Sequence, residues 1–288
     1  MLSARAIVQR IPGGLFLLFM ICFILPVALA VRYGTSLYYP PAPETDAEEQ
    51  DEFFPEAVLI QRDGAHLRVP SAPVLEPGVA EDFLLIGWFK LRKLPEAGKR
   101  MYLLAKFDSA NASSAGYALA LIADDKEIHP AVYWKNRAGQ GGWNTFSKME
   151  LVPREWFMVA ISYYDQKKLG VHVGRAWLPE EKRLQLGGGF EFEKPISPQS
   201  KSALVVGSIY GEAFRGKIGP FMLAHVKNLG QNLEDVLQAV VTSPRELPHQ
   251  LDQSSLAFYT LNGRDDISTH KHRIEAQHLS AKMFGSGE

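Results

Sequence analysis

This sequence predicts an all-β fold: an antiparallel β-sandwich with one short helix, preceded by an N-terminal transmembrane or signal segment. Three observations predict it. From residue 57 onward the chain breaks into short apolar runs divided by turn residues, the pattern of many short strands. Helical periodicity is confined to one stretch, NLEDVLQAV. The composition, 46% hydrophobic and 11% aromatic with 24 Gly and 18 Pro in 288 residues, suits a turn-rich folded domain. One large β domain is the expected organisation for this length. The formal net charge of -1 supplies no basic field for a phosphate backbone, so nucleic acid is excluded as an expected partner.

Residues 1–31 read as a targeting segment. Arg5 and Arg10 precede LFLLFMICFIL, an uncharged run that continues past Pro26 to Val31. Ala28-Leu29-Ala30 after a proline fits a signal peptide cleavage site, whereas residues 13–31 are nearly long enough to span a bilayer uncut as a signal anchor. Both versions leave the first residues in the cytoplasm and send the rest across the membrane. Tyr33, Tyr38 and Tyr39 follow at headgroup level if the segment stays. Cys22, the single cysteine, lies inside the apolar run, so no disulfide forms in the domain beyond it. An exported domain without disulfides points to a bacterial envelope, periplasm or cell surface.

Residues 32–55 read as a linker. Within it, PPAPETDAEEQDE places six acids in nine residues, Glu44, Asp46, Glu48, Glu49, Asp51 and Glu52. Such a segment cannot bury apolar surface and its like charges repel, so it is an extended spacer or an acidic contact tail.

Residues 56–288 hold the sandwich. The expected strands are AVLIQ, FLLIGWFKL, MYLLAKF, YALALIA, AVYWK, WFMVAISYY, LGVHVG, ALVVG, KIGPFMLAHV and LAFYTL. FLLIGWFKL and WFMVAISYY are apolar on both faces, which predicts central strands covered on both sides with Trp88 and Trp156 in the core. Leu169, Val171 and Val173 alternate with Gly170, His172 and Gly174, predicting one buried and one open face. The helix is expected to start at Asn232 as N-cap, to carry Glu234 and Asp235 in its first turn, and to end before Pro244. Its stripe of Leu233, Val236, Leu237 and Val240 is expected to lie across an open end of the sandwich.

The order of these elements resembles the laminin-G-like jelly roll of the concanavalin A-like lectin/glucanase superfamily over residues 60–243. Asp63-Gly64-Ala65-His66-Leu67-Arg68-Val69-Pro70 is similar to the family's opening strand, and Asp82-Phe83 through Trp88 to the next. Leu103-Leu104-Ala105-Lys106, Gly116-Tyr117-Ala118-Leu119 and Arg154-Glu155-Trp156-Phe157-Met158-Val159-Ala160 follow. Leu169 to Gly174, Ala203 to Gly207 and Phe214-Arg215-Gly216-Lys217-Ile218 complete the set. One departure is Gly219-Pro220, where the family commonly has an acid. The resemblance implies a fold far more than a function, because these are packing signatures. Residues 255–268 again look like a strand and turn, completing the sheet.

Chemistry is sparse. Glycosidases on such a fold need two carboxylates on one strand face. The nearest approach is Phe190-Glu191-Phe192-Glu193-Lys194, which lacks the middle Asp and third carboxylate of the usual run, so no catalytic residue is expected. No phosphate loop, dinucleotide fingerprint or serine elbow occurs. Related domains often hold calcium at a rim, and Asp108 with Asn111 in FDSANASSAG supply two candidate oxygens, although a polar hairpin uses the same residues to turn. His270-Lys271-His272 after Asp265-Asp266 puts two imidazoles on one strand face, open to a transition metal or to solvent. No cofactor beyond that possible calcium is expected.

The most suggestive stretch is VYWKNRAGQGGWNTF, residues 132–146. Trp134 and Trp143 flank Asn136, Arg137, Gln140 and Asn144. Sugars lay their C–H faces on aromatic rings while amides and guanidinium groups hold their hydroxyls. These six residues are the candidate ligand contacts, unless both tryptophans turn inward. The expectation is a non-catalytic extracytoplasmic module that binds a glycan or an envelope protein and meets the membrane through its N-terminal segment. A structural subunit of an envelope assembly is the alternative, and a glycoside hydrolase comes third.

Overall fold

The computed structural model describes residues 53–277 apart from 62–63, 79–80, 109–113, 125–126, 177, 208–213, 227, 245, 247–250, 252–255 and 262–273. The expected targeting segment, Cys22, the acidic spacer, Asn111 and His270-Lys271-His272 lie outside them. The described residues fall in one compact unit, Glu52–Glu288. Among them no helix is long and apolar enough to cross a membrane.

Two sheets form the unit. Sheet 1 contains β1 (Val58–Ile60), β3 (Asp82–Leu91), β8 (Trp156–Tyr164), β9 (Lys168–Gly174), β10 (Leu184–Glu191), β12 (Gly216–Val226) and β13 (Leu256–Tyr259). Their order is β1-β12-β3-β8-β9-β10, with β13 sharing one side of β12 with β1. Sheet 2 contains β2 (His66–Val69), β4 (Arg100–Phe107), β5 (Gly116–Asp124), β6 (Glu127–Lys135), β7 (Gly141–Thr145), β11 (Leu204–Val206) and β14 (Glu275–Gln277). Its order is β14-β2-β11-β4-β5-β6-β7. All of these strand pairs are antiparallel. Ten strands fall where the apolar runs predicted them. The other four were not among those runs: β2 is the opening strand of the family resemblance, while β7, β10 and β14 had no strand prediction.

The strand alternation sorts side chains into two cores. Phe83, Leu85, Phe89 and Leu91 of β3, with Phe157, Val159, Ile161 and Tyr163 of β8, meet Leu103, Leu119, Val132 and Trp134 of sheet 2 between the sheets. The alternate residues Leu84, Ile86, Trp88, Trp156, Met158 and Ala160 turn to the other face of sheet 1. There they meet Leu229, Leu233, Val236, Leu237, Val240 and Val241 of a helix. This explains why both alternating sets of β3 and β8 are dominated by apolar residues, as in strands buried on both faces, with Asp82, Lys90 and Ser162 the polar exceptions.

That helix, α2 (Leu229–Thr242), follows a single turn, α1 (Glu180–Arg183). Its placement corrects two expectations. Its stripe covers the outer face of sheet 1 instead of an open end, because that face offers a continuous apolar surface. Its start lies earlier than Asn232: the residue before it, Asn228, has φ 54°, and no side chain of its own caps the helix. The Leu229 N–H donates to Asp82 Oδ2 on β3 at 2.8 Å instead, so a long-range carboxylate satisfies a first-turn donor. The helix ends at Thr242, ahead of Pro244 as expected. The supposedly open face of β9 is covered too. His172 is 8% exposed, and a Cβ on Gly174 would come within 2.4 Å of Val241 in α2.

Candidate functional site

The candidate stretch is a hairpin in the structure. β6 and β7 pair from Ala131 with Thr145 to Lys135 with Gly141, and residues 136–140 make the turn. Asn136 and Gln140 lock that turn. The Asn136 N–H donates to the Gln140 carbonyl at 3.0 Å. Asn136 Oδ1 accepts the Gln140 N–H at 3.0 Å, and its amide nitrogen donates to Gln140 Oε1 at 2.8 Å. Gly141 closes the return with φ +90°, where a Cβ would lie 2.1 Å from the Trp134 carbonyl oxygen, so only glycine fits. Arg137 stands exposed at the tip.

Trp134 is not a ligand contact. It is fully buried, stacks on Tyr163 at 4.9 Å, and its indole N–H donates to the Ile196 carbonyl at 3.0 Å. Its strand parity sends it between the sheets. Trp143 pairs with Tyr133 across the hairpin, and its ring packs with Tyr102 and Tyr133 on the outer face of sheet 2. The two tryptophans therefore point to opposite faces, one register step apart. Asn144 is half-buried, and its amide makes one long contact, 3.5 Å, to the Gly142 carbonyl.

The hairpin meets a partner that sequence reasoning weighed separately. β7 is the last strand of sheet 2 and β10 the last of sheet 1. The Ser147 N–H donates to the Gly187 carbonyl at 2.9 Å, which ties the two edges together. Between them lies an open groove of about 500 Å3, bordered by Gln140, Trp143 and Asn144 on one side and Phe190, Glu191, Glu193, Lys194 and Ile196 on the other. Phe190 is 43% exposed and meets the buried Phe192 edge to face at 4.9 Å. Glu191 pairs with Lys167 at 2.5 Å. The hydrogen bond from Lys167, aided by its charge, holds the Glu191 carboxyl below its ordinary range.

The structure thus brings Gln140, Trp143 and Asn144 to one groove and leaves Trp134 in the core. It adds Phe190 and Lys194, which the sequence placed only in a carboxylate stretch and not among ligand contacts, and Ile196, which the sequence did not mark. The available signal was Gly187-Gly188-Gly189 ahead of Phe190, a strand with few side chains of its own to cover an aromatic ring. Asp108 is exposed at the end of β4, and its carbonyl accepts the Ser114 hydroxyl at 2.8 Å. Among the described residues no three His, Cys, Asp or Glu side chains converge on a metal position. The other candidate calcium ligand, Asn111, lies outside the described residues.

Among solved structures, the chain is similar to full-length tailspike protein 2 of an Escherichia coli O157:H7 bacteriophage, at 11% identity and TM-score 0.49, over 71% of this chain and 26% of that one. It is also similar to the SAP-like pentraxin of Limulus polyphemus, at 11% identity and TM-score 0.46, over 80% and 96%. A third is the CBM40 module of a Ruminococcus gnavus IT-sialidase, at 10% identity and TM-score 0.40, over 64% and 96%. The chain spans about a quarter of the tailspike protein's length. No family model and no curated protein matches the sequence. At such low similarity these likenesses carry no functional weight.

Proposed function

We propose that this chain is a non-catalytic binding module of laminin-G-like jelly-roll type that takes a glycan in the groove between β7 and β10. We place it outside the cytoplasm, carried there by the N-terminal apolar segment. The observation that carries the reading is the groove itself. It offers an exposed aromatic ring, Phe190, opposite an under-used amide, Asn144, with the Glu193 and Lys194 side chains at its border. A sugar needs one apolar platform and a few convergent hydrogen-bonding groups. A non-catalytic role is supported by the stretch Phe190-Glu191-Phe192-Glu193-Lys194, which lacks the middle Asp and third carboxylate of the glycosidase run.

The test is a glycan array probed with the full chain, followed by titration of the best ligand against Phe190→Ala and Asn144→Ala. Both variants should bind at least about tenfold more weakly while unfolding like the parent, since Phe190 is 43% exposed and exposed sites contribute little to stability. Unchanged affinity in both removes the groove from the reading.

One observation favours a second reading. Leu186 on β10 is 63% exposed, on an edge strand able to pair with another chain. A structural subunit of an envelope assembly would use that edge. Co-purification with a membrane protein in fixed ratio, lost on Leu186→Lys, would favour it over the glycan.

A further inference from the structure

The outer face of sheet 2 is built differently from the groove. Its middle positions are Ala105, Ala118, Ala120 and Ala131, each at most 3% exposed. Around these small side chains lie four rings in a closed circuit. Tyr102 meets Trp143 at 5.7 Å, Trp143 meets Tyr133 at 5.4 Å, Tyr133 meets Phe107 at 5.0 Å, and Phe107 meets Tyr102 at 6.1 Å. Alanine at the floor leaves room for the rings to lean over it, Tyr102 meeting Trp143 edge to face and the other pairs tilted. The corresponding face of sheet 1 is covered by α2. Among the described residues no helix covers this one.

Arg100, the first residue of β4, lies over that surface with Cζ 3.9 Å from the centre of the Trp143 ring. Its Nε is buried and has no hydrogen-bond partner. Among the described residues no carboxylate pairs with its guanidinium. Glu127, on the same face of β6, is taken by Lys148 at 2.7 Å. A guanidinium presents five donors in a fixed plane, and leaving such donors dry and unpaired costs free energy. Stacking on an indole keeps that plane oriented, ready for the two oxygens of a carboxylate.

We propose that Arg100 with Trp143 and Tyr102, backed by the buried Tyr133, forms a second binding site, for a saccharide that carries a carboxylate. The carboxylate pairs with Arg100, and the C–H face of the sugar lies on the aromatic surface. A peptide strand suits this surface less well, because β4, β5 and β6 each have neighbours on both sides that take up their backbone groups. The site lies on the opposite face of β7 from Asn144; Trp143 borders both it and the groove, whereas Arg100 belongs to this site and Phe190 to the groove.

The experiment is calorimetric titration of the full chain with an oligogalacturonate, its carboxyl-reduced counterpart of equal length, and a poly-glutamate peptide. The oligogalacturonate should bind at least about tenfold more tightly than the reduced form and than the peptide, and should weaken with added salt. Arg100→Met, which keeps the packing and removes the charge, should lose about tenfold or more, and Trp143→Leu a comparable amount. Arg100→Lys should fall between, since an ammonium cannot make the paired contact. Phe190→Ala should leave this affinity unchanged, which separates the site from the groove. Oligogalacturonate binding that survives Arg100→Met, equal binding of the reduced sugar, tighter binding of poly-glutamate, or loss through Phe190→Ala alone overturns the proposal. Matching thermal unfolding of parent and variants confirms that a lost affinity is local.

Discussion

His172 makes folding stability depend on pH in a way that one substitution isolates. It lies on the α2-covered face of sheet 1, 8% exposed, with Nε2 3.0 Å from the hydroxyl of the fully buried Ser162. Among the described residues no carboxylate pairs with it. Burial pushes its pKa from an ordinary 6.5 down to about 4, so in the folded chain the ring is neutral at pH 7. The unfolded chain takes up the proton first as pH falls. Stability is therefore full above pH 6.5, declines between 6.5 and about 4, and the loss is complete below that. At about 1.4 kcal/mol per pH unit, the loss amounts to about 3 kcal/mol. His172→Gln keeps a polar group beside Ser162 and removes the titration. The assay is urea unfolding of parent and variant at several values from about pH 7.5 to about pH 4, using the linear dependence on denaturant. The carboxylates and other histidines titrate in both proteins and cancel in the comparison. The parent should lose about 3 kcal/mol more than the variant across that range. Parallel curves would show that His172 takes up its proton in the folded chain without penalty, and would refute the reasoning.

Two further predictions concern the cores. Leu237 in α2 is 1% exposed against the outer face of sheet 1. Leu237→Asp forfeits about 2 to 5 kcal/mol of packing and buries a carboxylate without a partner, so it should unfold the whole domain; a variant that loses only helical signal would show that α2 is a separable cover. Lys106, fully buried, pairs with Glu76 at 2.5 Å and donates to the carbonyls of Ser200 and Ser202 at 2.6 Å each. Lys106→Met should cost about 3 kcal/mol or more in chemical denaturation by stranding Glu76. Adding Glu76→Gln should recover part of that cost, an interaction energy that a double-mutant cycle reads directly.

Strand existence was legible wherever side chains carried it. β3, β8 and β12 hold runs of large apolar residues, and a run buried on both faces cannot be mistaken for a solvated loop; β9 showed instead in its alternation of Leu169, Val171 and Val173 with small or polar residues. β10 was not legible, since LQLGGGFE has few side chains to form a period and gains its place by pairing with β9. Nor was β7: GGWNT carries no apolar run, and its strand character comes from pairing with β6. The groove inherits this limit, since both of its walls are those two strands. Half of it could be named from the sequence, Gln140, Trp143 and Asn144, because amides and an aromatic cluster in one stretch. The other half, 46 residues or more along the chain from Asn144, is joined to it only by the closing of one sheet on another.

Local patterning of the chain settled what was two-sided and what was a turn, because side-chain period and glycine placement act over a few residues. Which way each ring faces was decided by packing in three dimensions. Trp134 and Trp143 sit in the same hairpin with similar neighbours, yet one fills the interior and the other supports Arg100 outside. Parity in a strand is set by register, and register is set by the strands on either side. The same holds for α2: its apolar stripe is written in the chain, but the surface it covers exists only once β3, β8 and β12 lie side by side.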